Sequence, residues 1–285
     1  MKISLIMATL GREVEVEVFL NSLSRQTMQD FELIVVDQNN HDKVKNLCDQ
    51  YQKKIPIKYI HSNIKGLSHA RNIGLQKVTG DIVGFPDDDC WYDDTTLELV
   101  EKTFRKQDYD GITGTPIDKF GGVLINNFLK NDAYLNLQNV WHGGISYTIF
   151  LKSTICNRIG NFDEDLGVGA NTLFGSAEET DYLIRCLNID SKIYYMKKLR
   201  VYHPRKNSLG TSDDIKRAKL YGYGLGAVLK KHSYPVSYVL KTFIRPLLGS
   251  IIALCLGNVA LGQFRFNTFR GRLFGWLSYK KQGEL

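Results

Sequence analysis

The chain has 285 residues, 43% of them hydrophobic and 24% charged. These proportions exclude collagen-like, disordered and disulfide-scaffold proteins, and the length suits one large domain or one domain with a short appendage. The formal net charge of +7 is uneven: from Lys230 onward there are nine basic residues and one acid, Glu284, so that segment carries +8 and residues 1–229 carry −1. A basic tail on a near-neutral body points to an anionic partner, either a membrane surface or a nucleic acid. The five cysteines (Cys48, Cys90, Cys156, Cys186, Cys255) are odd in number and form no C-x-x-C pair. That argues against a zinc module or a disulfide framework and for a reducing cytoplasm. The apolar start, residues 1–7, is too short for a signal peptide and has no small-residue cleavage site.

Residues 2–8 predict a buried strand, broken by Thr9-Leu10-Gly11-Arg12. Residues 13–18 alternate with period two and taken alone suggest a strand. Val16, Phe19, Leu20 and Leu23, however, are spaced 3, 1 and 3, which is a helical face, and they predict a helix running to Arg25. Residues 31–37 form a second buried strand. A polar helix follows through Val44, Leu47, Cys48 and Tyr51, then a short strand at 57–61, a helix at 67–78 and a strand at 81–85 that runs into Pro86-Asp87-Asp88-Asp89. Strands alternating with helices at this spacing predict β-α-β units and a mostly parallel sheet, with ligands at the carboxyl ends of the strands. Three polar clusters fall there, at 9–12, 37–40 and 87–89.

The stretch 111–175 is rich in glycine and asparagine and reads as sheet edge and substrate loops. Residues 176–187 predict a helix, 192–202 a strand with a basic face, and 211–231 a helix weakened by Gly222, Gly224 and Gly226. Residues 246–264 form an uncharged run of nineteen between Arg245 and Arg265, long enough to consider a membrane span but diluted by Gly249, Ser250, Gly257, Asn258, Gly262 and Gln263. Its flanks, 236–243 and 264–279, mix Phe, Leu, Trp and Tyr with Arg and Lys and contain no acid, a composition suited to helices lying in the headgroup region of an anionic membrane. Packing on the enzyme body or in a homodimer is the alternative. Nucleic acid is not expected as a partner, because the basic residues sit among apolar runs rather than in a polar stripe.

Asp87-Asp88-Asp89 is the strongest chemical feature. Three adjacent carboxylates repel one another and call for a counter-charge. In extended chain Asp87 and Asp89 point the same way, and paired oxygens suit a hard divalent ion, Mn2+ or Mg2+. A solvated acidic turn is the plain alternative. Asp37 ends a buried strand, where it can accept a hydrogen bond from a ligand or simply form a turn. Arg71 offers a planar fork suited to phosphate, or is a surface arginine on an amphipathic helix.

Five ordered blocks, Ile3-Ser4-Leu5-Ile6-Met7-Ala8-Thr9, Leu20-Asn21-Ser22-Leu23-Ser24-Arg25-Gln26-Thr27, Phe31-Glu32-Leu33-Ile34-Val35-Val36-Asp37, Gly66-Leu67-Ser68-His69-Ala70-Arg71-Asn72-Ile73-Gly74 and Gly80-Asp81-Ile82-Val83-Gly84-Phe85-Pro86-Asp87-Asp88-Asp89, resemble the successive motifs of family 2 glycosyltransferases. The resemblance implies a GT-A fold: Rossmann-like α/β, with a mostly parallel central sheet flanked by helices. It also implies a nucleotide-diphosphate sugar donor, a divalent metal and inversion at the anomeric carbon. By position, Ala8, Thr9, Arg12, Asp37, Arg71, Asp87 and Asp88 would bind the nucleotide-sugar, with Asp37 at the base and Arg71 near the diphosphate. Ala8 stands where many relatives have proline. Asp87 and Asp89 match the D-x-D metal pair, and His203 matches a further ligand found in some relatives; alone it reads equally as a loop histidine.

A second block, Gly175-Ser176-Ala177-Glu178-Glu179-Thr180-Asp181-Tyr182-Leu183-Ile184-Arg185, resembles the family motif that carries the catalytic base, which falls on Glu179, with Glu178 and Asp181 as fallbacks. The residues alone also read as a capping box from Ser176 to Glu179 with an Asp181–Arg185 ion pair, and a helix N-terminus would make Glu179 a weaker base. By the same resemblance, Trp141 to Gly144 and Phe162 to Asn171 lie on the acceptor side.

The expectation is a nucleotide-sugar-binding half at 1–110, an acceptor-binding half at 111–210 and a basic, apolar helical extension at 211–285. The function expected from the resemblance is a metal-dependent inverting transferase that moves sugar from a UDP-, GDP- or dTDP-sugar to a carbohydrate or lipid-linked acceptor for capsule, exopolysaccharide or O-antigen. The place expected is the cytoplasmic face of a membrane, with peripheral attachment. A sugar-nucleotidyltransferase and a non-catalytic nucleotide-sugar-binding partner are the alternatives. The first would normally show a glycine-rich basic loop after the first strand, and Thr9-Leu10-Gly11-Arg12 is too short for one.

Overall fold

In the computed structural model, residues 1–125, 127–205 and 211–280 are described. The apolar runs form strands buried along their whole length: β1 (Ile3–Thr9) and β2 (Phe31–Asp37) have no exposed residue. Between them α1 (Val14–Ser24) is a helix, so the 3.6-residue period prevails over the local alternation. Val16, Phe19, Leu20 and Leu23 are all fully buried in the core cluster of β1 and β2, while Val14 and Val18 face solvent. Each such burial stabilises by about 1.5–3 kcal/mol, more than the ~1 kcal/mol that strand propensity spans.

The chain continues through α2 (Lys43–Tyr51), β3 (Ile57–His61), α3 (Leu67–Leu75), β4 (Ile82–Gly84), α4 (Thr96–Lys106), β5 (Gly111–Ile117), β6 (Ala133–Tyr134), β7 (Phe150–Lys152), α5 (Ser153–Ile159), α6 (Glu178–Leu187) and β8 (Ile193–Tyr202). Helix α3 stops three residues before the expected end. Thr79 is drawn instead to Glu32, donating from its N–H (2.9 Å) and its hydroxyl (2.7 Å), while Gly80 N–H donates to Ser4 Oγ (2.9 Å).

The strands form one sheet in the order β3-β2-β1-β4-β7-β5-β8-β6, parallel across β3, β2, β1 and β4 and between β5 and β8, antiparallel at β7 and β6. This is an α/β fold with a mostly parallel sheet. Residues 111–117, which the sequence suggests as edge or loop, form an interior strand. Their glycines are required by close neighbours: a Cβ at Gly114 would lie 2.3 Å from the Leu199 carbonyl oxygen, and one at Gly111 would lie 2.4 Å from Leu151.

Two units are distinguished. The first comprises 1–162 and 182–205, including the sheet; the second comprises 163–181 and the described residues beyond 205. In the second, α7 (Ser212–Lys231) begins with a capping box between Thr211 and Asp214, and α8 (Val236–Cys255) and α9 (Val259–Ser278) follow. Two of the glycines that weaken α7 as an isolated helix, Gly222 and Gly226, let α9 approach it closely. A Cβ at Gly226 would lie 2.1 Å from the Arg272 carbonyl oxygen, and one at Gly275 would lie 2.1 Å from that of Tyr223. Pro246 inside α8 has no N–H to offer the Thr242 carbonyl four residues back, and Arg272 Nη1 donates to that oxygen instead (2.8 Å).

Candidate active site

In the first unit, the polar clusters predicted at the strand ends meet at the carboxyl ends of β1, β2 and β4. Ala8, at the end of β1, pairs with Asp87 through an isolated parallel bridge. Beyond Thr9, Arg12 turns back to the acidic segment, its Nη1 2.5 Å from Asp88 Oδ1 and 2.7 Å from Asp89 Oδ2. Burial raises the Asp88 carboxyl to about 6, with Arg12 holding it back from a larger rise. Thr9 Oγ1 is buried without a hydrogen-bond partner at normal distance, although it lies close enough to Asp88 to favour that group's charged form.

Arg71 reaches the same place from α3. Gly74 allows that helix to lie against β1, since a Cβ there would come within 2.3 Å of Ile6. Arg71 is only 1% exposed; its Nη2 is 3.1 Å from Asp87 Oδ1, and its guanidinium lies 5.5 Å from the centre of the Phe162 ring. It is therefore not a surface arginine. Ser146 also donates to Asp87 Oδ1 (3.1 Å). Surrounding protein raises the Asp87 carboxyl above the ordinary range, against the pull of Arg71.

His203 is delivered by strand pairing. Trp91, two residues after Asp89, exchanges both backbone hydrogen bonds with Tyr202 (3.0 Å each), and their rings stack at 5.4 Å. His203 N–H donates to the Ile117 carbonyl (2.9 Å), and the Tyr147 ring stacks on the imidazole at 4.8 Å. Its Nε2 is 3.0 Å from Asp89 Oδ1 and its Nδ1 2.9 Å from the Pro204 carbonyl oxygen. Burial lowers its pKa, but the bond to Asp89 outweighs that and the net shift is upward. One ligand atom from each of Asp87, Asp89 and His203 falls within 4.8 Å of the others. Two carboxylates and an imidazole are a donor set that fits Mn2+ or Mg2+. Cys90 does not compete, because burial and the neighbouring carboxylates push its thiol well up and keep it neutral.

Asp37 is fully buried at the end of β2. Its Oδ1 accepts from Asn39 N–H (2.9 Å) and Nδ2 (2.7 Å), and its Oδ2 accepts from the Tyr59 hydroxyl (2.8 Å). Asn39 in turn accepts from Gly11 N–H (2.7 Å), so it ties the loop after β1 to that after β2.

In the second unit, Glu178 and Glu179 open helix α6, preceded by Ala177 in the left-handed region at φ 69°. The hydroxyl of Ser176, two residues before the helix, donates to the Tyr221 carbonyl (3.0 Å). Glu178 is buried and Glu179 half-buried. Asp181 is fully buried, with its Oδ1 2.8 Å from both Lys231 Nζ and His232 Nε2. Arg185, at the far end of α6, donates to the carbonyls of Ile159 and Asn161.

The profile of the family described as "Glycosyl transferase family 2" matches residues 4–165, more than half the chain. The chain belongs to glycosyl transferase family 2. Among curated relatives it is 26% identical over 244 residues to the GalNAc(5)-diNAcBac-PP-undecaprenol beta-1,3-glucosyltransferase of Campylobacter jejuni, covering 80% of this chain and 74% of that one. It is 27% identical over 221 residues to the minor teichoic acid biosynthesis protein GgaB of Bacillus subtilis, covering 73% of this chain and 23% of that one. The matches span 23% to 37% of the length of several curated relatives. Among solved structures, that of S. aureus TarS 1-349 in complex with UDP-GlcNAc superposes with a TM-score of 0.60 at 19% identity, covering 98% of this chain and 91% of that one. The mannosyltransferase PcManGT of Pyrobaculum calidifontis, in complex with GDP-Man and Mn2+, superposes with a TM-score of 0.63 at 14% identity, covering 96% and 86%. The fold is GT-A.

Family membership draws attention to residues whose sequence context gave little signal. Ser146 and Tyr147 sit in a weakly patterned stretch, yet they hold Asp87 and His203. Trp91 could have been flagged as an aromatic beside three acids, but its partner Tyr202 is 111 positions away in the chain.

Proposed function

We propose that the chain is an inverting, metal-dependent glycosyltransferase that moves a sugar from a nucleotide-diphosphate sugar to a hydroxyl of a carbohydrate or lipid-linked saccharide. The observation that carries this reading is the Asp87, Asp89 and His203 cluster beside Arg71 and Arg12. The UDP-GlcNAc and the GDP-Man with Mn2+ in the two solved neighbours support a donor of that class. In this reading residues 1–110 form the donor side, 111–210 the acceptor side and 211–285 a helical extension.

Asp87, Asp89 and His203 would hold Mn2+ or Mg2+, which when bound supplies positive charge against the leaving diphosphate. Arg12 and Arg71 bind the diphosphate oxygens through their guanidinium forks, exchanging carboxylate partners for phosphate. Ala8, Thr9 and Asp37 line the nucleoside pocket; Asp88 keeps Arg12 in place. Glu179 accepts the acceptor proton, which requires the hydroxyl within about 2.6–3.2 Å. The new bond from the acceptor oxygen to the anomeric carbon forms on the face opposite the breaking bond to diphosphate, so the configuration inverts and nucleoside diphosphate leaves. Glu178 and Asp181 are the fallbacks for the base; the clamp of Lys231 and His232 on Asp181 favours a structural part for that residue.

Curated relatives named for teichoic acid and undecaprenol-linked glycan synthesis support a place in cell-envelope polysaccharide assembly, at the cytoplasmic face of the membrane with peripheral attachment. The test is transfer from a panel of UDP-, GDP- and dTDP-sugars to envelope glycan acceptors, with EDTA and with Mn2+ or Mg2+ restored. Release of nucleoside diphosphate and loss of activity in Asp89→Ala and Glu179→Gln are expected. Wild-type rates in both variants, or release of pyrophosphate, would overturn the proposal.

A further inference from the structure

Helices α8 and α9 form an antiparallel hairpin within the second unit. Ser250 Oγ donates to the Gly262 carbonyl (2.7 Å), Arg265 Nη1 to that of Gly249 (2.9 Å) and Arg272 Nη1 to that of Thr242 (2.8 Å), so contacts climb one helix as they descend the other. Taken by length and hydropathy alone, α8 could cross a membrane. Its charges and the turn say otherwise. Lys241 and Arg245 are exposed in its first half, the uncharged run begins only at Pro246, and the chain reverses at residues 256–258.

The tip is apolar and bare. Ile251, Ile252, Leu254, Leu256 and Val259 are each at least half exposed, Leu256 at 79%. Most backbone N–H groups of the turn are paired within it. Leu256 N–H donates to Ile252 O, Gly257 to Leu254 O, Asn258 to Ala253 O, Val259 to Gly257 O and Gly262 to Asn258 O, while the Asn258 side chain accepts from Leu261 N–H. The same pairing closes helix ends in water, and it also fits this turn for hydrocarbon, where open backbone groups are costly. From Pro246 to Cys255 an α-helix rises about 15 Å, and one leaflet of hydrocarbon is about half of ~30 Å. At the base of the hairpin stand Lys241, Arg245 and Arg270, the last with its guanidinium over both Phe266 and Phe274 at 6.0 Å. No acid occurs from 215 to 283.

We propose that this hairpin is a monotopic anchor: the tip, residues 246–264, enters one leaflet of an anionic bilayer and returns on the same side, with the basic residues at the headgroup phosphates. The occupant of the bare tip is lipid. Charge complementarity at the base and the leaflet-matched length of the tip argue for it. The proposal sharpens the peripheral attachment given above and is independent of the catalytic assignment, because its test reads no activity.

Cys255 lies exposed at the tip while the other four cysteines are buried, so an environment-sensitive thiol dye on the full chain reports this position. With phosphatidylcholine vesicles containing 30 mol% phosphatidylglycerol, we expect a blue shift. We also expect stronger quenching by lipids labelled deep in the acyl chain than at the headgroup, and no quenching by Co2+ trapped in the lumen. The double variant Ile252→Glu/Leu256→Glu should partition about tenfold or more weakly with unchanged melting, since both side chains face outward. Arg245→Ala should weaken binding to the anionic vesicles about fivefold and leave the weak binding to pure phosphatidylcholine unchanged. Quenching from the lumen would mean a true span. Concentration-dependent protection of the dye without lipid would mean that a second copy covers the tip. Either outcome, or no shift with vesicles, overturns the proposal.

Discussion

Arg12 and His203 grip the two oxygens of Asp89 from opposite sides, Arg12 Nη1 at 2.7 Å from Oδ2 and His203 Nε2 at 3.0 Å from Oδ1. The carboxylate is thereby oriented before any ligand arrives. Arg12 also opposes a cation at that site, because it already satisfies part of the acidic charge. Arg12→Ala is therefore expected to act in two directions. Mn2+ binding without nucleotide should tighten about fivefold, a modest figure because Arg12 is partly exposed and screened. The KM for the nucleotide-sugar should rise, because a phosphate-binding fork is lost. Calorimetric titration of Mn2+ with and without UDP separates the two effects; a loss of both affinities together would assign Arg12 to folding rather than binding.

Replacing Glu179 by Gln removes the proton acceptor while keeping size and hydrogen-bonding shape. The turnover number should fall about 10²–10⁴-fold, with donor affinity unchanged when measured by nucleotide displacement. Glu178→Gln in the adjacent buried position should instead lower the melting temperature and leave most of the rate. The reverse pattern would move the base to Glu178.

Glu32 predicts an acid limb in stability. Burial alone would raise this carboxyl, but hydrogen bonds from Lys58, Ser4 and Thr79 outweigh it and hold the pKa down to about 2. The folded value lies below the unfolded one, so the stabilisation is complete above about pH 4.5 and is lost as pH falls toward about 2; its size is about 3 kcal/mol. Chemical denaturation of Glu32→Gln should show a loss of about that size at pH 7 and a flatter profile below pH 4.5. Equal acid sensitivity in variant and wild type would remove Glu32 from this part.

Gly275→Ala sets two effects against each other. Helix propensity favours alanine by about 1 kcal/mol. The new methyl, however, would sit 2.1 Å from the Tyr223 carbonyl oxygen. Forcing two backbones apart costs about 1–3 kcal/mol or more, so the clash wins and the melting temperature should drop. Gly249→Ala is the control, because its methyl would meet the Arg265 side chain (2.9 Å), which can move. Calorimetric melting of both variants decides it, and equal stability of Gly275→Ala and wild type would show that α9 can shift.

The order of strands and helices through the first 90 residues follows from the sequence, because there hydrophobic period and turn chemistry agree: residues 31–37 and 57–61 are strands to the residue. The acidic triplet and the ordered motif blocks likewise identified the family without coordinates. The sequence alone could not bring His203 to Asp89, 114 positions earlier, because that meeting depends on the Trp91–Tyr202 pairing. Nor could it show that residues 111–117 are an interior strand, since their glycines read as loop until Leu199 and Leu151 are seen pressing on them. The same holds for Gly222 and Gly226 of α7, which are breakers by propensity and become close-packing points only against the backbone of α9. Local sequence sets which elements can form; which side chains end up sharing a few ångströms is decided by long-range pairing and packing, whose energies no single segment contains.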